Sequence, residues 1–114
     1  MKISVITVSF NSERTIERTI KSVIEQTHKE IEYIIVDGGS TDNTLDIVDK
    51  YKENINILIS EKDNGIYDAM NKGIKLATGE ILHFLNSVII ISIVHLWKRY
   101  LTNLILILVL LLLL

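Results

Sequence analysis

The 114-residue sequence contains no cysteine and no proline. The absence of cysteine excludes disulfide scaffolds, cysteine nucleophiles and thiolate metal sites, and it fits a reducing compartment. Without proline, the turns depend on glycine, asparagine and serine. An excess of basic residues is also missing, because 12 lysines and arginines stand against 14 aspartates and glutamates, for a net charge of −2. We therefore expect no nucleic-acid partner.

Charge is distributed unevenly along the chain. All 14 acidic residues lie within residues 1–87, whereas residues 88–114 carry only Lys98 and Arg99, and 21 of these 27 residues are apolar. We therefore divide the chain into a globular unit, residues 1–87, and an apolar tail, residues 88–114.

Several explanations of the tail stay open. The run of Leu, Ile and Val over residues 104–114 looks like read-through of a shifted frame after a truncation. A membrane segment is the second explanation, although residues 101–114 would form a helix only about 21 Å long, against a hydrocarbon core of roughly 30 Å. Partial insertion and self-association are further expectations for so apolar a segment.

The hydrophobic pattern of residues 1–87 alternates between two kinds of element. Apolar, β-branched runs predict strands at residues 3–10, 31–36, 55–59 and 80–85. Helical periodicity predicts helices at residues 13–26, 42–52 and 66–77, with Asn11 and Ser12 as caps of the first and Gly79 closing the third. The order βαβαβαβ predicts an α/β fold, a Rossmann-like unit with a mainly parallel sheet. In such sheets a ligand binds beyond the carboxyl ends of the strands.

Familiar catalytic and phosphate-binding patterns are absent from the sequence. Residues 9–14 read SFNSER where a dinucleotide fold needs G-x-G-x-x-G and a P-loop needs G-x-x-x-x-G-K-[ST]. The three histidines have no metal-ligand spacing and suggest no Ser-His-acid triad.

Two positions stand out as candidates for binding. Asp37 follows a nearly all-apolar strand, where its carboxylate could accept a hydrogen bond from a ribose hydroxyl or a base N–H. The alternative is a turn in which Asp37 or Ser40 bonds the turn's own amides. Asp68 and Asn71 share a helix face and could bond a diphosphate or sugar; alternatively, Asp68 complements the helix dipole and Asn71 is solvated.

Several segments resemble the N-terminal half of the inverting family 2 glycosyltransferases, which have the GT-A fold. They are ISVITVSFN at residues 3–11, SVIEQT at 22–27, EYIIVDGGSTD at 32–42, SEKDNGIYDAMNKG at 60–73, ATGE at 77–80 and FLNS at 84–87. The resemblance covers about residues 2–87, and the string GIYDAMNKG is similar to members that build bacterial surface polysaccharides.

The resemblance implies a donor site for a nucleoside-diphosphate sugar, with a UDP-sugar expected. It implies that Ser9, Phe10 and Asn11 surround the nucleobase and ribose, that Asp37 bonds the base, and that Asp68 and Asn71 approach the sugar diphosphate. An intact relative would transfer the sugar with inversion to a glycan or lipid-linked acceptor, whose hydroxyl is deprotonated by a carboxylate.

The sequence departs from the family after the fourth predicted strand. There the family has an Asp-Asp or Asp-x-Asp element that holds Mg²⁺ or Mn²⁺, and residues 86–89 of this chain read Asn-Ser-Val-Ile. Valine and isoleucine offer no oxygen ligand, so we expect no cation to be bound here. The family's catalytic base lies further on than this sequence extends.

These departures lead to two functional expectations. The first is a truncated, poorly active or inactive glycosyltransferase. The alternative is a non-catalytic nucleotide-binding or vestigial module that the tail attaches to a membrane or a partner. The first residues show no secretory signal, so we expect a cytoplasmic location, at the inner face of the plasma membrane if the tail inserts.

Overall fold

The computed structural model describes residues 2–85 and 90–94. In this part of the chain one five-stranded sheet has the order β3-β2-β1-β4-β5. Its strands are β1 (Ile3–Ser9), β2 (Ile31–Asp37), β3 (Ile57–Ser60), β4 (Ile81–Leu85) and β5 (Ile90–Val94). The helices are α1 (Ile16–Ile24), α2 (Thr44–Asp49) and α3 (Ile66–Leu76), and a short 3₁₀ helix (Lys52–Asn54) precedes β3.

The first four strands are parallel, which confirms the predicted α/β fold. β1 pairs with β2 from Ile3 opposite Ile31 to Ser9 opposite Asp37. β3 pairs with β2 so that Ser60 lies opposite Asp37. The carboxyl ends of β1, β2 and β3 are therefore level, and the loops after them begin at one edge of the sheet, which we call the carboxyl edge.

β5 was not predicted, because residues 90–94 lie within the apolar tail, residues 88–114. This strand pairs antiparallel with β4, from Ile81 opposite Val94 to Leu85 opposite Ile90. Pairing satisfies backbone groups of β4 that an edge strand would leave open. Residues 86–89 and 95–114 lie outside the described residues, so the explanations of the tail stay predictions. No helix in the described part is long and apolar enough to cross a membrane.

Helices cover both faces of the parallel sheet. α3 packs its apolar side, Ala69, Met70 and Ile74, against a face formed by residues such as Ile6 and Val36. On the opposite face, Ile16, Ile20 and Val23 of α1 and Val48 of α2 form a second buried cluster with the sheet residues Val5, Tyr33 and Ile35. Burial on both faces explains why the strands are apolar at odd and even positions alike. The spacing of Ile24 from Ile16, Ile20 and Val23 predicts that it shares their inward face, but Ile24 lies at the end of α1 and is 38% exposed.

The predicted cap of the first helix was wrong. α1 begins at Ile16, and its N-cap residue Thr15 makes no side-chain capping hydrogen bond. Asn11 has instead a left-handed backbone, with φ of 46°. A short polar side chain tolerates this conformation better than most. In this conformation Asn11 Oδ1 accepts a hydrogen bond from Thr41 N, on the loop after β2.

A buried carboxylate organises the opposite, amino-terminal edge of the sheet. Glu32 Oε1 accepts hydrogen bonds from Ser4 Oγ and from Thr78 N, each at 2.8 Å, and Oε2 accepts one from Thr78 Oγ1 at 2.8 Å. Lys2 Nζ lies 3.4 Å from Glu32 Oε2. Burial opposes ionisation of Glu32, but these bonds and the Lys2 charge outweigh it and lower the pKa of the carboxyl. The network ties the loop after α3 to β1 and β2.

Gly79 was predicted to close the third helix, but α3 ends at Leu76 and Gly79 has another role. Its N–H donates to Ser4 Oγ at 2.8 Å. A Cβ atom at position 79 would lie 2.7 Å from Ser4 N and 2.8 Å from Lys2 O. Only glycine lets the two backbones approach this closely.

We expect Gly79→Ala to lower the free energy of unfolding by about 1–3 kcal/mol, because backbone atoms of β1 would have to move. Urea denaturation followed by circular dichroism measures the change. Glu80→Ala, at the exposed neighbouring position, is the control and should change stability by less than about 0.5 kcal/mol. Equal effects of the two substitutions would contradict the close-packing role of Gly79.

Candidate functional site

Asp37 lies at the carboxyl edge with its side chain completely buried, at 0% exposure. Its Oδ1 atom accepts hydrogen bonds from Ser9 Oγ at 2.8 Å and Ser40 Oγ at 2.5 Å. Its Oδ2 atom accepts from Gly39 N at 3.0 Å, Ser40 N at 2.8 Å and Ser60 Oγ at 2.9 Å. A carboxylate offers about four lone-pair positions, so these five donors occupy it fully.

The hydrogen bonds determine the protonation state of Asp37. Burial by itself raises the pKa of a carboxyl group, because it disfavours the charged form. Here the bonds donated by Ser40, Ser9 and Ser60 outweigh burial, and the pKa of Asp37 is lowered from its ordinary value. The residue is therefore an anion near neutral pH, held in place by the ends of three strands.

The loop after β1 is bonded to the loop after β2. Asn11 N donates to Ser40 Oγ at 2.8 Å, and Asn11 Oδ1 accepts from Thr41 N at 2.8 Å. Ser12 N donates to Thr44 Oγ1 at 2.8 Å. The side chain of Asn11 is thus used to join two loops, and this use explains the left-handed backbone at that residue.

Phe10 projects from the same edge and is 61% exposed. It directly follows Ser9, whose carbonyl oxygen accepts a hydrogen bond from Gly38 N at 2.8 Å. Its own backbone N–H is 3.3 Å from Ser12 Oγ. An exposed aromatic ring on a loop fixed by hydrogen bonds is suited to stack on a flat ligand.

The loop between β3 and α3 completes the carboxyl edge. Gly65, the N-cap residue of α3, has φ of 109° and ψ of −178°, a conformation open essentially only to glycine. Asp63 Oδ1 accepts from Gly65 N at 3.0 Å, and Asp68 Oδ2 accepts from Asn64 N at 3.0 Å. These two carboxylates hold the loop in one shape.

Asp68 also belongs to an ion-pair network. Lys72 Nζ lies 3.5 Å from Asp68 Oδ2 and 3.0 Å from Glu61 Oε1. The N–H of Asn64 and the charge of Lys72 lower the pKa of Asp68. Its side chain remains 35% exposed, which leaves part of the carboxylate open to solvent.

The site residues predicted from the sequence lie in three places at the carboxyl edge. Ser9 and Asp37 contact each other in the buried cluster, whereas Phe10 and Asn11 lie on the loop that follows. Asp68 and Asn71 lie on the first turns of α3, Asn71 half-buried. The roles of all six residues in binding a ligand stay predictions. The turn interpretation of Asp37 describes its bonds in the structure, because it accepts from Gly39 and Ser40 amides.

Sequence reasoning missed the parts played by Ser60, Asp63 and Lys72. Ser60 could have been found from strand pairing, since it ends β3 as Ser9 ends β1. Lys72 follows Asp68 by four residues on α3, the spacing typical of a helical ion pair. Asp63 depends on the packing of two loops, and the sequence carries no comparable signal.

The described residues do not fit a divalent cation. Among the side chains that the structure describes, no group of three or more His, Cys, Asp or Glu could hold a metal ion. Asp37 is occupied by its five donors, and Asp68 is paired with Lys72. Residues 86–89, where the family's metal element would lie, are outside the described residues. No step of the function is therefore assigned to a metal.

A family model described as Glycosyl transferase family 2 matches residues 4–87. Over 86 residues the chain is 44% identical to an uncharacterised glycosyltransferase of Mycobacterium tuberculosis; the alignment covers 75% of this chain and 33% of that protein. The chain therefore spans about a third of the length of this curated relative.

Solved structures resemble the chain to a similar extent. Staphylococcus aureus TarS, residues 1–349, in complex with UDP-GlcNAc has a TM-score of 0.69 and 37% identity over 76% of this chain and 26% of that one. The mannosyltransferase PcManGT of Pyrobaculum calidifontis, in complex with GDP-Man and Mn²⁺, has a TM-score of 0.69 and 28% identity over 75% of this chain and 27% of that one.

We expect Asp37→Asn to lower the free energy of unfolding at pH 7 by about 1.5–3 kcal/mol, because hydrogen bonds to a charged acceptor are lost. The folded pKa lies below the unfolded one, so the contribution of Asp37 is present above about pH 4 and is lost as the pH falls through the folded pKa. Urea denaturation between pH 7 and pH 3 should show that the difference in the free energy of unfolding between Asp37→Asn and the wild type becomes smaller as the pH falls. Asp49→Asn, an exposed site on α2, is the control; a constant difference would contradict the role of the Asp37 charge.

Proposed function

The chain belongs to glycosyl transferase family 2, and from this premise we propose that residues 2–85 bind a nucleoside-diphosphate sugar at the carboxyl edge. The fold is that of the donor-binding half of a GT-A transferase. The observation that carries the proposal is the exposed ring of Phe10 on a loop that is held in place by hydrogen bonds to the loop after β2. A site of this kind is ordered before its ligand arrives, which reduces the entropy lost on binding.

Each residue of the carboxyl edge has a proposed task. Phe10 stacks on the nucleobase, while Ser9, Asn11 and Asp37 hold the loops that surround it. Asp68 and Asn71, at the start of α3, face the sugar end of the donor. The partly exposed carboxylate of Asp68 would accept hydrogen bonds from sugar hydroxyls, because a carboxylate accepts readily from hydroxyls and repels phosphate oxygens.

A UDP-sugar is the proposed ligand class. The TarS structure holds UDP-GlcNAc and the PcManGT structure holds GDP-Man with Mn²⁺. The higher identity is to TarS, which supports uracil as the base.

Sugar transfer is a separate matter from donor binding. The aligned segment is about a third of the length of the relative, so transfer by this chain is a proposal. We propose that this chain binds the donor but transfers its sugar poorly or not at all, since residues 86–89 read Asn-Ser-Val-Ile where the family has carboxylate ligands for a cation. The second candidate, a nucleotide-binding module without catalysis, is favoured by the same observation. Association with a membrane or with another copy through residues 88–114 also stays a proposal.

Titration calorimetry of the full chain with UDP and UDP-GlcNAc, with and without Mn²⁺, tests the binding proposal. We expect both ligands to bind, with affinities that Mn²⁺ does not change, because valine and isoleucine at positions 88 and 89 offer the ion no oxygen ligand. Absence of binding by either ligand at millimolar concentration would contradict the proposed function. Release of UDP from UDP-GlcNAc, followed over time, then separates a transferase from a binding module.

We expect Phe10→Ala to raise the Kd for UDP about five- to 150-fold, the loss typical of one base stacked on an aromatic ring. Ile24→Ala is the matched control, since Ile24 is also an exposed apolar residue but ends α1, away from the carboxyl edge. The control should bind UDP like the wild type. An unchanged Kd in Phe10→Ala would remove Phe10 from the proposed site.

A further inference from the structure

The β3–α3 loop brings a second carboxylate to the carboxyl edge. Asp63 lies three residues after Ser60, the last residue of β3, and its side chain packs against the backbone of Gly38. A Cβ atom at position 38 would lie 2.8 Å from Asp63 Oδ2, 3.2 Å from its Cγ and 3.3 Å from its Oδ1. The carboxylate of Asp63 therefore occupies the space that a side chain at position 38 would need.

The two oxygens of Asp63 are used differently. Oδ1 accepts the N–H of Gly65 at 3.0 Å, which sets the orientation of the side chain. No donor among residues 2–85 bonds to Oδ2. The side chain is half-buried, so Oδ2 is an oriented acceptor with free lone pairs. Asp37, the residue just before Gly38, has none left, because its five donors occupy both oxygens.

We infer that Asp63, held against Gly38, is the residue that accepts the ring N–H of the donor's nucleobase and so selects uracil over cytosine. This inference rests on the proposed function, and it transfers the contact with the base from Asp37 to Asp63. Gly38 lies next to the loop that carries Phe10, since its N–H donates to Ser9 O at 2.8 Å. A base stacked on Phe10 would therefore present its edge to a neighbouring loop rather than to the buried Asp37.

The chemistry of the two pyrimidines makes the selection testable. Uracil carries a hydrogen on N3 and can donate it to Oδ2, whereas N3 of cytosine carries a lone pair that the carboxylate repels. An asparagine at position 63 can keep its oxygen on Gly65 N–H and place its amide NH₂ where Oδ2 was. That amide would donate to N3 of cytosine and would face the N3 hydrogen of uracil.

Calorimetric titration of the full chain with UDP and with CDP tests the inference. We expect the wild type to prefer UDP, and Asp63→Asn to bind UDP about 10- to 100-fold more weakly while CDP binding is kept or strengthened. Asp49→Asn, the same chemical change on the exposed face of α2, should leave the UDP-to-CDP ratio as in the wild type. An unchanged ratio in Asp63→Asn, with UDP still bound, overturns the inference and leaves the proposed function standing.

Gly38→Ala provides an independent arm. The φ angle of Gly38 is not in the left-handed region, so alanine fits the backbone, and the added Cβ displaces only the movable end of Asp63. We expect Gly38→Ala to weaken UDP binding without strengthening CDP binding, and the double variant with Asp63→Asn to lose little more than the larger single loss. Fully additive losses overturn the inference.

Thermal melts of all variants accompany the titrations, so that affinity is compared only between folded proteins. Should Gly38→Ala fail to fold, the Asp63→Asn ratio decides the outcome alone. If the wild type binds neither UDP nor CDP, the proposed function fails and the inference falls with it. If the wild type binds both equally, the inference alone fails.

Discussion

The buried carboxylate of Asp37 is the constraint on which the carboxyl edge depends. One side chain collects donors from the end of β1, from the loop after β2 and from the end of β3, through Ser9, Ser40 and Ser60. A buried charge without such partners would cost several kcal/mol, so these bonds are a condition of folding. Because they fix three strand ends relative to one another, the loops that follow start from fixed points.

Because of this constraint, the residue that holds the site together is not one of the residues that face a ligand. Five donors surround the carboxylate of Asp37 and leave it no free lone pair. In the structure Asp37 therefore shapes the site through the loops that it holds. The groups that face outward come from neighbouring positions, the ring of Phe10 on one loop and the carboxylate of Asp63 on another. Asn11 and Ser40 join the first two loops, while Gly65, in a backbone conformation that other residues avoid, sets the third.

Much of the fold could be predicted, because hydrophobic periodicity reports directly on burial. The alternation of strands and helices and the parallel sheet follow from it, and the structure confirms them. Local signals were less reliable. Asn11 and Ser12 have the residue types of a helix cap, yet Asn11 serves a contact with a loop some 30 residues away. Gly79 resembles a helix stop and is instead a point of close backbone contact.

The sequence by itself determined the family, the order of elements and the set of polar residues that end the strands, because each is written in residue types and their spacing. Tertiary structure alone decided which of those polar groups form hydrogen bonds within the protein and which remain available to a ligand. That distinction depends on distances between loops far apart in the chain, such as Asp63 against Gly38, and on burial that turns the most prominent acid of the sequence, Asp37, into a structural anchor. The pairing of β5 with β4 was likewise decided by the tertiary structure. An apolar run in the sequence does not indicate which strand it will pair with, because that depends on which edge of the sheet lies beside it.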